Sequence, residues 1–175
     1  TKMATNWKNV NNWHWVEKNC LSWAVDYLKE KLVGLEQKSE SGIECKVTEV
    51  NSVTGDCDLN QRKGKIITIY DLVINLNWEG KSSNGEIWKG KVNIPEFMHD
   101  SISNNDITFE ISLNDEVCKE SLQVKEFIRV NFTKEIINQL KSFEKDLVEY
   151  HSKDVYINTN DMNGHPTLDS YKPKP

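Results

Sequence analysis

The sequence predicts an α+β domain: an N-terminal helix, an antiparallel meandering sheet of four or so strands, and a C-terminal helix or helix pair. Three observations carry that prediction. Apolar residues recur at helical spacing early in the chain, alternate through its middle, and return to helical spacing near its end. The 175 residues suffice for one ordinary domain with a real core.

The first helix is read from Leu21, Ala24, Val25, Leu28 and Leu32, which recur at spacings of three and four and so share one face. Glu17, Lys18, Asp26, Lys29 and Glu30 are expected to turn outward. Asn11 or Asn12 is expected to cap the start and Gly34 to stop the end. Trp13, Trp15 and Trp23 lie on or beside this helix. Burying one of its leucines stabilises the fold by about 1.5–3 kcal/mol.

Strands follow. Over residues 43–50, Ile43, Cys45 and Val47 alternate imperfectly with Glu44, Lys46 and Thr48. Thr54-Gly55-Asp56 reads as a turn, with a short strand over 57–61 after it. Arg62-Lys63-Gly64-Lys65 then leads into the longest strand, about 65–78. Its even positions are Ile66, Thr68, Tyr70, Leu72, Ile74, Leu76 and Trp78, which should face the core. Its odd positions, from Lys65 on, should face water, yet near the start they carry Ile67 and Ile69. Residues 79–85 read as a hairpin loop. The next strand, 86–94, points Trp88, Val92 and Ile94 one way, and Pro95 is expected to end it. A polar stretch from Asp100 to Asn105 precedes a last strand with Ile107, Phe109, Ile111 and Leu113 inward.

Helical spacing returns after Asn114. Val117, Val124 and Ile128 suit one helix, and the β-branched and aromatic run Phe127 to Phe132 predicts a break near Asn131–Thr133. Ile136, Leu140, Phe143, Leu147 and Tyr150 mark a second helical stretch. The expected division is a flexible N-terminus over 1–12, a domain over 13–152, and a linker or tail over 153–175.

Composition narrows function. A formal net charge of -5 argues against general nucleic-acid binding, which needs a basic field against phosphate. No run approaches the roughly 18 apolar residues of a membrane span. The four cysteines form no C-x-x-C pair and read as reduced thiols. His14, His99, His151 and His165 are scattered without metal-ligand spacing, so no metal and no cofactor is expected. Neither a phosphate loop nor a nucleophile elbow is present, and no enzymatic activity is expected. Asp56 and Asp58 flank the predicted turn and read as solvated turn residues rather than an acid pair.

One surface constellation remains. Arg62, Lys63 and Lys65 gather three positive charges within four residues of an acidic chain, and Ile67 and Ile69 follow on the outward face. Apolar residues beside a charged cluster suit a binding site. A hairpin corner with solvated lysines on a sheet covered on both faces would suit the same residues.

The string Asn12-Trp13-His14-Trp15-Val16-Glu17-Lys18-Asn19, with Trp23 and the ending Leu32-Val33-Gly34-Leu35, resembles the start of the family of activators of the heat shock protein 90 ATPase. Gly55-Asp56-Cys57, then Gln61-Arg62-Lys63-Gly64-Lys65-Ile66-Ile67, then Tyr70-Asp71-Leu72 resemble its central motif. Trp78-Glu79-Gly80 and Ile94-Pro95-Glu96-Phe97 extend the likeness, which covers about residues 10–150.

The resemblance implies a cytoplasmic co-chaperone domain that binds the middle segment of heat shock protein 90. It implies stimulation of that ATPase through the active catalytic-loop conformation and the closed dimer. It also implies a C-terminal domain beyond the 153–175 linker, with further contacts near the chaperone's N-terminal domain in the full protein. The basic motif maps onto Arg62, Lys63 and Lys65, and its apolar neighbours onto Ile67 and Ile69. A second contact is expected in a loop after Pro95, at Glu96, Phe97, His99 and Asp100. Trp13, Trp15 and Trp23 are expected to pack structurally. Competing readings are a stand-alone holdase that shields unfolded clients on its sheet face, and a weak nucleic-acid binder using Arg62, Lys63, Lys65, Lys89 and Lys91.

Overall fold

The computed structural model describes residues 17–152. Trp13, His14, Trp15, His165, the expected caps Asn11 and Asn12, and the 153–175 segment lie outside the described residues.

The first helix, α1, spans Leu21–Leu32 and buries Ala24, Leu28 and Leu32. It begins later than the sequence pattern alone suggests. Glu17 and Lys18 belong instead to a short strand β1 (Glu17–Asn19). The N-cap position is Cys20, which gives no side-chain cap, and just ahead of it the Asn19 Oδ1 accepts a hydrogen bond from the Leu21 N–H at 3.1 Å. Gly34, at φ 89°, follows the helix end as expected.

After a short β2 (Glu36–Lys38), the stretch read as strand, turn and strand is one nineteen-residue strand, β3 (Glu44–Arg62). Gly55 is no turn. It sits at φ 123° inside the strand, where a Cβ would collide with the carbonyl of Asp71 on the neighbouring strand. Two register shifts, between Val47 and Glu49 and between Val50 and Ser52, explain the imperfect alternation.

The longest uninterrupted alternation becomes β4 (Lys65–Lys81), with Tyr70, Leu72, Ile74, Leu76 and Trp78 buried. β5 (Ile87–Met98) runs straight through Pro95. There the register shifts so that Pro95 and Glu96 together face Val73, and this bulge accommodates a residue that has no N–H to give the ladder. β6 (Glu110–Leu113) completes a sheet in the order β1-β3-β4-β5-β6, with β2 also on β3. The meander of four strands is therefore as expected, with two short strands added along β3.

The C-terminal part is α2 (Lys119–Phe127), a π-helical turn over Ile128–Phe132, α3 (Thr133–Leu140) and α4 (Phe143–His151). Where a break was expected, the chain widens its turn without leaving the helix, and the Thr133 hydroxyl donates to the Arg129 carbonyl at 2.9 Å. Val117 precedes α2 and is exposed, so it takes no part in the apolar stripe. Tyr150 is likewise exposed on α4, resting near the ring of Trp23.

The first and last helices lock together over the sheet. Trp23 stacks on Tyr27 with centroids 4.6 Å apart, and both rings pack against Phe143. The Tyr27 hydroxyl donates to Asp146 Oδ2 at 2.5 Å and lies 2.9 Å from the Ser142 hydroxyl. Trp23 thus packs structurally, as expected. Helix packing covers the even face of β4 alone. On the other face Lys65, Ile67, Ile69 and Asp71 are exposed, so the sheet is not covered twice there.

Buried thiols, together with the half-buried Tyr27 and buried Tyr70 hydroxyls that burial also raises, limit this fold at alkaline pH. Burial pushes Cys20 up to about 11, and Cys45 and Cys57 up to about 12, from an ordinary 9.0. Between those values the folded chain holds protons that the unfolded chain has released, so raising pH favours unfolding. The guanidinium midpoint is expected to hold below pH 9 and to fall as pH rises from about 9 to about 12. Replacing Cys57 with Ala should flatten that fall.

Candidate functional site

β3 and β4 form a long hairpin closed by the pair Arg62 and Lys65. Its loop is only two residues, Lys63 at φ 51° and Gly64 at φ 81°. Left-handed conformation at both positions is what a tight hairpin turn needs to match strand twist. Glycine adopts it freely, whereas Lys63 does so at a backbone cost of about 1–2 kcal/mol. Asparagine is the usual residue at that first position. The turn presents Arg62, Lys63 and Lys65 fully at its tip, all exposed, and none pairs with a carboxylate among the described residues.

Behind the tip lie the two isoleucines. Ile67 stands opposite Asn60 and Ile69 opposite Asp58. They remain 40% and 45% exposed, in line on one face. Next along the same face, Asp56 and Asp71 sit directly opposite one another. Like charges in that relation destabilise a sheet. Asp58 is half-buried beside them, and burial, then Glu17 and Asp56, raise its carboxyl above the ordinary value. The open face of the arm therefore runs from basic tip through apolar middle to a group of carboxylates.

The expected turn at Asp56 concealed this group. A two-residue loop at Lys63-Gly64 fixes the pairing of Asp56 with Asp71, so the signal was the hairpin length rather than either aspartate.

Farther along, the face is polar and internally satisfied. Asn51 Nδ2 donates to Asn77 Oδ1 and Asn77 Nδ2 to Glu49 Oε1, while Asn75 Nδ2 donates to Asn93 Oδ1 and Asn93 Nδ2 to Glu110 Oε1. These rungs bound the apolar patch.

The residues expected in a loop after Pro95 divide. Glu96 is exposed on the β5 bulge. His99 and Asp100 are exposed in the turn that follows β5, and the His99 ring stands edge-on to Tyr70 at 6.4 Å. That places them on the Tyr70 side of β4, the face opposite Ile67 and Ile69. Phe97 is different: it is 0% exposed, packed against Tyr70 and Phe143 at 5.3 Å each. Strand alternation, resumed after the bulge, turns it into the core, so its ring is no surface contact.

Comparison with known proteins agrees with this fold. The family model described as activator of Hsp90 ATPase, N-terminal, matches residues 17–151. The chain is 38% identical over 154 residues to the Hsp90 co-chaperone AHA1 of Saccharomyces cerevisiae, covering 85% of this chain and 43% of that protein. It is 34% identical over 160 residues to the Hsp90 co-chaperone HCH1 of the same yeast, covering 85% of this chain and 97% of that one. The chain thus spans less than half of the first relative and nearly all of the second. A crystal structure of Aha-1 from Plasmodium falciparum superposes with a TM-score of 0.70 at 26% identity, over 82% of this chain and 97% of that chain. With the matched residues spanning the whole described fold, this chain belongs to the family of N-terminal domains of activators of the Hsp90 ATPase.

Proposed function

We propose that this domain is a co-chaperone module that binds the middle segment of heat shock protein 90 and stimulates its ATPase. The observation that carries the reading is the hairpin arm. It holds a strained, unpaired lysine at its tip and two half-exposed isoleucines behind it, on a face otherwise closed by hydrogen-bonded polar rungs. Names of the similar proteins, which include Hsp90 co-chaperone and activator of 90 kDa heat shock protein ATPase, support the same partner.

In this reading Arg62, Lys63 and Lys65 steer encounter and set orientation against acidic groups. Ile67 and Ile69 provide the desolvated centre, and the Asp56–Asp71 pair is relieved by a cation of the partner. Glu96, exposed on the bulge, would extend this contact, whereas His99 and Asp100, beside Tyr70, would meet the partner only around the edge of β4. The ATP chemistry is the chaperone's. The domain acts by binding more tightly to the active catalytic-loop conformation and the closed dimer, and a tenfold shift takes about 1.4 kcal/mol of that difference. The polar rungs leave little apolar face for shielding unfolded clients, which counts against a stand-alone holdase.

The Lys63→Asn variant tests this directly. It removes a charge while giving the turn its preferred residue, so the domain should gain up to about 1 kcal/mol of stability. Stimulation of ATP hydrolysis by purified heat shock protein 90 should nonetheless fall severalfold at subsaturating domain. A stabilised variant with undiminished stimulation would remove Lys63 from the site.

A further inference from the structure

β4 and β5 part company before the arm ends. Their last pair is Asp71 with Met98, after which β5 turns away through Ser101, whose hydroxyl accepts the Met98 N–H at 2.8 Å. β4 continues for Lys65–Tyr70 paired with β3 on one side only. Among the described residues no strand lies along the other side. β1 sits on the far edge of β3 and does not reach it. The segment is thus an open sheet edge carrying a run of unpaired main-chain groups, and protein edges of this kind are usually shortened, charged or covered. Within the stretch Lys65 is the one charged residue, the Thr68 hydroxyl donates to the Glu144 carboxylate of α4 at 3.1 Å on the helix-covered face, and Ile67 and Ile69 are left exposed on the other.

Resting on the function proposed above, we infer that the Lys65–Tyr70 edge of β4 accepts an extended segment of the chaperone as an added strand. Main-chain hydrogen bonds to the free edge supply attachment, and side chains on the open face supply selectivity. Charge identifies the segment. The arm is basic at Arg62, Lys63 and Lys65 and acidic at Asp56, Asp58 and Asp71, with the isoleucines between. The matching strand carries a carboxylate toward the tip, apolar side chains over Ile67 and Ile69, and a cation toward Asp71. The edge is short enough that five or six residues fill it, so the partner needs only a brief extended stretch.

Strand addition leaves a signature that side-chain contact does not. In a strand, alternate amides point to opposite edges, so those turned toward β3 are already bonded and those turned outward are free. The test is amide exchange on the 15N-labelled 175-residue chain, alone and saturated with purified heat shock protein 90, quenched and read residue by residue. Binding is followed in the same samples by fluorescence anisotropy. The expected result is slowing of at least about tenfold at every second amide between Lys65 and Tyr70, with the intervening ones unchanged. Binding with uniform or absent protection there overturns strand addition and leaves the co-chaperone reading standing. Absence of binding sinks both. Alternating protection that develops in the domain alone as its concentration rises would assign the edge to a second copy of this chain, and would equally overturn the inference.

Discussion

Threonine at both Ile67 and Ile69 should lower affinity for heat shock protein 90 by about thirtyfold or more, with the melting temperature nearly unchanged. The argument begins with exposure. At 40% and 45%, each side chain leaves a large part of its surface for a partner to cover. Apolar residues at the centre of an interface cost about 1 kcal/mol or more each on truncation, and two such losses amount to the stated factor. Threonine keeps the β-branch that suits a strand, so the change falls on the surface rather than on the hairpin. Titration calorimetry gives the affinity and circular dichroism the melting curve. Wild-type affinity in a well-folded double variant would place the contact elsewhere. A large drop in melting temperature would mean that the pair supports the fold instead.

Most of this architecture was legible because two periods dominate it. Alternation from Ile66 to Trp78 gave the central strand and its buried face, and spacing from Leu21 to Leu32 gave the first helix. The failures share a physical cause: local signals were overruled by pairing. Gly55 and Pro95 both carry strong turn character, yet each lies inside a strand. Gly55 is there because the neighbouring backbone leaves no room for a Cβ, and Pro95 because a bulge removes the need for its missing N–H. The β-branched run at Ile128–Phe132 weakened the helix as expected, but tertiary burial of Ile128 and Phe132 held the chain in a widened turn. In the candidate site, the tip and the isoleucines followed directly from charge and alternation. The opposed aspartates did not, since they depend on hairpin register, which a misplaced turn erases.

Phe97 shows what the same register does to a site assignment, and its replacement by alanine is the second large effect. The ring is fully buried among Tyr70 and Phe143, and Phe143 in turn meets Trp23 and Tyr27 of the first helix. Phe97 is therefore one support of the aromatic group that fastens α1 and α4 to the sheet. Emptying that volume should cost about 3–5 kcal/mol, a large share of the 5–15 kcal/mol that holds an ordinary domain. At about 2–4 °C per kcal/mol for a chain of this size, the melting temperature should fall by roughly 10 °C. Glu96, one residue earlier and exposed on the bulge, provides the contrast. Glu96→Ala should leave melting unchanged and act on affinity alone. Measured well below its own melting temperature, Phe97→Ala should bind the chaperone as the wild type does, because its ring never reaches the surface. If Phe97→Ala instead keeps the wild-type melting temperature and loses affinity, the ring must leave the core on binding, and the strand after Pro95 would have to open to release it.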